Sequence, residues 1–165
     1  MLRLRSAVRG TTRVALTALL LAFAPHAALA QAPIGVTGVQ GVMFGTMLQG
    51  ATKVVSRADA ANAAQFSIKG AGGGRQVQLQ FTLPANLIGP GGAAIPLSYA
   101  AGDAGFSAQQ SIANQVGFDP RSPFTAQLSQ NGRGSVFLGA RATPGAAQSP
   151  GTYTATLTLT VIYFP

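Results

Sequence analysis

The chain contains no cysteine or tryptophan, has a single histidine, and carries only three acidic residues, all aspartate. The histidine is His26, so no histidine, cysteine or glutamate occurs beyond residue 30. This absence removes the Ser-His-Asp and Cys-His catalytic sets and the usual zinc ligands. Without disulfides, an exported domain must be stabilised by strand pairing, core burial or assembly. We therefore expect no catalytic residue, no metal site and no cofactor, and a protein that is not an enzyme.

The three aspartates are the remaining acid–base groups. Asp59, Asp103 and Asp119 lie in the short segments RADAAN, AGDAG and FDPR. A pair of carboxylates can support glycoside hydrolysis, and carboxylates can bind calcium. Aspartate in segments rich in glycine and proline more often forms turns, because its side chain accepts hydrogen bonds from nearby backbone. We expect this turn-forming role.

The first thirty residues resemble a secretory signal peptide. Four arginines precede an uncharged apolar run, residues 14–24, and Ala28-Leu29-Ala30 forms a small-x-small cleavage signature before Gln31. The run is shorter than the roughly 18 residues of a spanning helix, so an uncleaved membrane anchor is the minor alternative. Cleavage between Ala30 and Gln31 predicts export to the periplasm, cell surface or medium, with no stable membrane span afterwards. A Gram-negative bacterium is the expected source, although eukaryotic secretion stays open.

Removal of the signal peptide changes the charge of the chain. The full sequence has 11 Lys and Arg, but only seven of them lie beyond residue 30, against three Asp, for a net charge of +4. These cations occur singly, whereas nucleic-acid binding requires a basic patch or a known motif. We therefore expect no nucleic-acid partner.

The end of the sequence has the clearest strand pattern. Thr154, Thr156, Thr158 and Thr160 alternate with mostly apolar residues, which indicates one solvated and one buried face. The predicted buried face consists of Tyr153, Ala155, Leu157, Leu159, Val161 and Tyr163. Ile162 and Phe164 then place apolar groups on the threonine face. The rest of the domain or another chain should cover them.

Other short strands are separated by turn residues. They are predicted over residues 34–36, 42–48, 51–56, 65–70, 75–84, 95–99, 124–129 and 135–140. Asn131-Gly132 predicts a hairpin, and residues 107–118 form a short helix or a loop. Many short strands indicate a sandwich or a barrel. We expect an all-β, immunoglobulin-like or pilin-like antiparallel β-sandwich, with a single domain over residues 42–165.

Several segments resemble a secreted bacterial family known as domain of unknown function 4402. That family is pilin-like and distantly similar to spore coat U and alternate-chaperone fimbrial subunits. The resemblance spans about residues 42–163. It is carried by Val42-Met43-Phe44-Gly45, by Phe66-Ser67-Ile68-Lys69-Gly70 with the later Leu83-Pro84, by Phe137-Leu138-Gly139-Ala140, and by the closing segment from Pro150-Gly151 to Tyr163.

The resemblance implies a structural subunit that polymerises by β-strand addition, with self-association or a periplasmic chaperone as partner. Residues 31–41 are then the candidate donor strand, through Ile34, Val36 and Val39. Self-pairing of this segment is the alternative. The candidate groove or terminal strand contains Tyr153, Leu157, Leu159, Val161, Tyr163 and Phe164. The alternative function is a monomeric secreted module that recognises a glycan or matrix ligand through loops 84–94 and 100–123.

Overall fold

The computed structural model describes residues 33–164. The predicted signal cleavage between Ala30 and Gln31 lies outside these residues. The described chain forms twelve strands, all paired antiparallel, and one short 3₁₀ turn at Pro90–Gly92. The all-β class and the antiparallel sandwich predicted from the sequence are confirmed.

Two sheets face each other across the main core. The five-stranded sheet has the order β1 (Gly35–Gln40), β3 (Ala64–Lys69), β10 (Arg133–Leu138), β7 (Ala104–Ser107) and β8 (Val116–Phe118). The three-stranded sheet has the order β12 (Thr158–Tyr163), β4 (Gln76–Thr82) and β9 (Phe124–Gln127). The outer strands of the two sheets are therefore β1 and β8 in one, and β12 and β9 in the other.

The main core forms because these strands alternate apolar and polar residues. In β4, Val77 and Leu79 are fully buried, whereas Gln76 and Gln80 are exposed. The alternation places one face of the strand against the opposite sheet, where it meets Ile68 of β3. Burial of such aliphatic side chains contributes roughly 1.5–3 kcal/mol each.

A smaller four-stranded sheet carries a second apolar cluster. Its order is β2 (Lys53–Val55), β11 (Ala140–Ala142), β6 (Ala94–Ser98) and β5 (Asn86–Ile88). The chain passes from β10 into β11 through Gly139, where a Cβ atom would lie 2.7 Å from the backbone nitrogen of Arg57. Only glycine fits this close approach. The chain can therefore pass directly from β10 in the five-stranded sheet into β11 in the four-stranded sheet.

The segment before the last strand differs from the prediction. The exposed threonine face is confirmed, since Thr154, Thr156, Thr158 and Thr160 are exposed, and Leu159 is buried as predicted. The prediction is wrong at Ala155, which was placed on the buried face and is exposed. The ladder begins only at Thr158, however, and residues 153–157 contribute one isolated bridge between Thr154 and Ile88. Tyr153 explains the difference: its hydroxyl donates to the Ser149 carbonyl at 2.6 Å, and its ring lies against Gly89. Side-chain contacts fix this segment before the ladder starts.

No strand forms over residues 42–48, so the strand prediction for this segment is wrong. Gly45 has a positive φ of 62°, which interrupts an extended run, and Phe44 is buried in the second cluster. The predicted hairpin at Asn131-Gly132 is only a turn. Gly132 donates its N–H to the Ser129 carbonyl at 2.8 Å, but β9 and β10 then diverge into different sheets. Residues 107–118 were predicted as a short helix or a loop; residues 108–115 form the loop, and β8 follows it.

In the described part of the chain, no helix is long and apolar enough to cross a membrane.

Candidate functional site: an uncharged side of the sandwich

Strand β1 forms the outer edge of the five-stranded sheet. It pairs with β3 from Gly35 opposite Lys69 to Gln40 opposite Gln65, with one irregularity in the register. Of the predicted donor residues, Val36 is 37% exposed and Val39 is 58% exposed, whereas Ile34 is half-buried against the main core. In the single chain, this segment closes its own sheet, which is the alternative arrangement weighed from the sequence. Its use by a neighbouring copy stays a prediction.

Strand β12 forms the outer edge of the three-stranded sheet, on the same side of the sandwich. It pairs only with β4, from Thr158 opposite Thr82 to Tyr163 opposite Val77. Ile34 and Tyr163 meet over Gly70, since a Cβ there would lie 3.6 Å and 3.4 Å from their side chains. The edges of β1 and β12 are therefore neighbours at this end of the sandwich.

The predicted groove residues do not lie together in one site. Leu159 is buried in the main core, and Val161 and Tyr163 are half-buried against it. Phe164 is 40% exposed, and Ile162 beside it is 44% exposed. No described part of the chain covers the apolar groups at the end of the threonine face.

Tyr153 and Leu157 instead line an open cleft of about 1240 Å³. Its walls include residues 42–49 and residues 148–155 with Leu157. These segments contain the parts of the strands predicted at 42–48 and from 153 onwards that lie outside the ladders. Val39, Met43 and Leu48 also line the cleft, with Met43 and Leu48 exposed at 55% and 74%. Of the two loops predicted to contact a ligand, 84–94 contributes Pro84 and Leu87, whereas 100–123 contributes no residue to this cleft.

The cleft walls carry unpaired backbone. Residues 44–47 and 155–156 make no backbone–backbone hydrogen bond within the described chain. Buried backbone groups need a partner, so these groups stay satisfied only while water reaches them. An added strand could also pair with them.

The two tyrosine hydroxyls of the cleft are already hydrogen-bonded. The Tyr99 hydroxyl donates to the Pro84 carbonyl at 3.1 Å, and burial raises the pKa of Tyr99 to about 12. The Tyr153 hydroxyl accepts from the Gln148 side chain at 2.7 Å. In the described chain, the residues that line the cleft include no charged side chain. The cleft therefore suits an uncharged ligand or chain segment.

The charge distribution along the sequence explains this neutrality. Beyond residue 30, every charged residue lies between Lys53 and Arg141, so residues 31–52 and 142–165 carry none. These two stretches supply β1, both cleft walls and β12, which together are called the neutral side below. Two cations border it at the Tyr163 end: Lys69 pairs with Gly35, and the Arg75 guanidinium lies 5.9 Å from the Tyr163 ring centroid. Mapping the charges along the sequence could have identified this surface; net charge alone could not.

The opposite side of the sandwich, at β8 and β9, is built differently. Arg57 is half-buried at this side. Its guanidinium donates to the carbonyls of Gly102 and Ala104, the latter at 3.0 Å. A side chain at Gly105 or Gly117 would collide with Arg57. Arg57 thus ties the segment after β2 to the strands β7 and β8.

The aspartates form turns, as predicted. Asp59 accepts hydrogen bonds from the backbone of Ala61 and Asn62, and Asp103 accepts one from Ala100. Asp119 bonds the Arg121 side chain at 2.8 Å, and this hydrogen bond lowers the pKa of Asp119 to about 2. Each carboxylate accepts hydrogen bonds from residues of its own turn. Among the described residues, no group of three or more His, Cys, Asp or Glu side chains is placed to hold a metal ion.

Comparison with known proteins finds no protein-family model that matches this chain and no curated protein that matches it.

Proposed function

We propose that this protein is an exported, non-enzymatic structural subunit of a fimbria-like or surface-coat assembly, which self-associates through its neutral side by β-strand addition. The observation that carries the proposal is the coincidence of two edge strands and an apolar cleft on one uncharged side. The resemblance to the domain of unknown function 4402 family supports the same function. Its similarity to fimbrial subunits also favours bacterial export and a role at the cell surface, including adhesion.

Unprotected edges favour strand addition. Soluble proteins usually protect edge strands with lysine, proline, short length or covering loops. Neither β1 nor β12 contains lysine or proline, and each has six residues. An extended strand that pairs with such an edge gains main-chain hydrogen bonds and buries alternate side chains. The composition of β1 and β12 therefore fits sheet edges that pair with a strand of another chain.

The charge of the chain favours contact through this side. After the proposed cleavage, each copy carries a net charge of +4, so two copies repel one another in most orientations. Contact through the neutral side brings the fewest like charges together. It also buries Val39, Ile162 and Phe164, at about 25 cal/mol for each Å² of apolar surface removed from water. A second copy is therefore the partner that this side fits best.

Val39→Lys tests the proposal with a matched control. Val39 on β1 is 58% exposed and Val54 on β2 is 56% exposed, so a lysine at either position leaves the core unchanged. We expect Val39→Lys to remove most assembly, because it places a charge on the neutral side, and Val54→Lys to keep it. Deletion of residues 31–41 should abolish assembly while a soluble domain remains.

The measurement is a detergent gel of the exported protein, run with and without boiling. Strand-exchanged subunits dissociate only when a whole sheet opens, so they survive detergent in the cold. We expect a ladder that collapses to one band on boiling. A single band from the unmodified protein under both conditions, together with a monomer in sedimentation, would overturn the proposal.

The cleft supports a second candidate function, a monomeric module that binds an uncharged ligand such as a neutral glycan or matrix segment. Its volume of about 1240 Å³ exceeds the roughly 300–1,000 Å³ of ordinary small-molecule pockets. Tyr99 and Tyr153 provide aromatic surface in its lining. This candidate takes precedence if the exported protein is monomeric.

A further inference from the structure

We propose that the strand exchanged between copies is β1 itself, and that it pairs with β3 of the second copy in the register that it has in the single chain. The assembly would then be a strand swap, in which every copy gives its β1 and receives another. The inference rests on the proposed function, because it specifies how the neutral side associates.

The length of the N-terminal segment excludes a separate donor strand. After the proposed cleavage before Gln31, only residues 31–34 precede β1. A typical strand has about five or six residues, so this remainder is too short to form one. Ile34 within it already packs against the main core. A donor drawn from residues 31–41 must therefore include β1, which leaves the β3 edge vacant when it departs.

The vacated β3 edge is the best-matched acceptor for β1 of another copy. Gly38 lies opposite Phe66, whose ring would be 3.9 Å from a Cβ at that position. Ile34 fits beside Tyr163 over Gly70. These contacts are the same whichever copy supplies the strand, so the exchanged strand itself adds no contact. The contacts that favour the swapped form are those between the neutral sides of the two copies, which include the exposed Val39 and Ile162. Protein concentration then decides between the closed and swapped forms.

Residues 41–52 can serve as the hinge. No strand lies between β1 and β2, and Gly45 and Gly50 have positive φ values of 62° and 70°. Fully extended, these residues reach about 40 Å, which is sufficient for β1 to leave its own domain. The strand-like pattern of residues 42–48, which forms no strand in the closed chain, is compatible with this extended state.

The hinge also makes the exchange slow. Phe44 is 8% exposed within the second cluster, and Met43 donates its N–H to the Asn62 carbonyl at 2.8 Å. Both contacts must break when residues 41–52 extend. Closed monomers should therefore persist after folding and convert to the swapped form at high concentration or on mild heating.

Single-cysteine variants on separate copies test the swap directly. The chain has no cysteine, and Thr37 on β1 lies opposite Ser67 on β3. Facing residues of paired strands lie close enough for a disulfide. We expect Thr37→Cys and Ser67→Cys copies, assembled together and oxidised, to give a disulfide-linked dimer on a boiled non-reducing gel. The Thr37→Cys/Ser67→Cys double variant, kept monomeric, should instead form the disulfide within one chain.

The control uses a strand pair that stays within the domain. Ser107 on β7 faces Ser135 on β10, and separate Ser107→Cys and Ser135→Cys copies should give no linked dimer. Ladders on the cold gel with no Thr37–Ser67 link between copies would overturn the swap while the proposed assembly stands. Absence of ladders, with a disulfide only within the double variant, would overturn both.

Discussion

The two sides of this sandwich differ in the length of their edge strands and in the charges near them. At one side, β8 has three residues and β9 has four, and the Asp119–Arg121 ion pair at 2.8 Å lies in the loop between them. At the other side, β1 and β12 have six residues each and no charge. The first side has the short strands and nearby charges that protect a sheet edge, whereas the neutral side lacks both.

The same contrast extends to the interior of each side. Phe118 of β8 stacks on Phe124 of β9 with ring centroids 4.3 Å apart, so the protected side is closed by aromatic packing. On the neutral side, the walls of the cleft do not pair. This difference fits the proposal that one side stabilises the domain and the other contacts a second copy. Single substitutions should therefore separate stability from assembly.

The largest expected effect is on assembly, from a charge added to the neutral side at β12. Ile162 is 44% exposed there, and Val116 on β8 is 61% exposed at the protected side. We expect Ile162→Lys to lower the assembled fraction at least tenfold and Val116→Lys to leave it unchanged, as measured by analytical ultracentrifugation. Both variants should unfold at the urea concentration of the unmodified protein. Equal loss of assembly in the two variants would contradict the assignment of the neutral side.

An intermediate effect should appear on stability alone, from Arg57 beside the protected side. Arg57→Met keeps much of the side-chain volume but removes the donor to the Gly102 and Ala104 carbonyls. Hydrogen bonds to a charged group contribute roughly 1.5–3 kcal/mol, so we expect about 1–3 kcal/mol of lost unfolding free energy for this half-buried residue.

The matched control is Arg141→Met, because Arg141 is exposed on β11. Urea unfolding should show little change for it, and assembly should be normal in both variants at equal folded concentration. If Arg57→Met abolished assembly without changing the unfolding midpoint, the separation of the two sides would be wrong.

Periodicity predicted the strands in which packing and pattern agree. In β4 and β12, alternate residues are buried as expected, because each strand has one face against the main core. Periodicity also predicted strands at residues 42–48 and 153–157, where no ladder forms, because the contacts of one side chain in each segment determine its conformation. Phe44 inserts into the second cluster, and Tyr153 is held by Ser149 and Gln148. The contacts of Phe44 depend on distant segments, whereas those of Tyr153 are local but follow no strand periodicity.

The candidate site was only partly predictable for a related reason. The sequence identified the two terminal segments, including Val39, Tyr153 and Leu157, which the cleft brings together. The alternation predicted that Leu159 is buried, but it could not show whether the main core or a strand from another chain covers that face. Arg57 gave no signal either, because the carbonyls that it binds lie about 45 residues further along the chain.

The smallest expected effect is a difference between the two sides in their response to pH. The hydrogen bond from Arg121 lowers the pKa of Asp119 to about 2, from the usual 3.8, so its contribution is present above pH 4. That contribution is lost as the pH falls from about 4 to 2.

Burial raises the pKa of Tyr99 in the cleft lining to about 12, from 10. Its contribution is complete below pH 10 and is lost as the pH rises to about 12, because the unfolded chain ionises first. Unfolding midpoints in urea should therefore fall at both extremes; Asp119→Asn should reduce only the acid loss, and Tyr99→Phe only the alkaline loss. An alkaline loss that is unchanged in Tyr99→Phe would show that another group controls the cleft side.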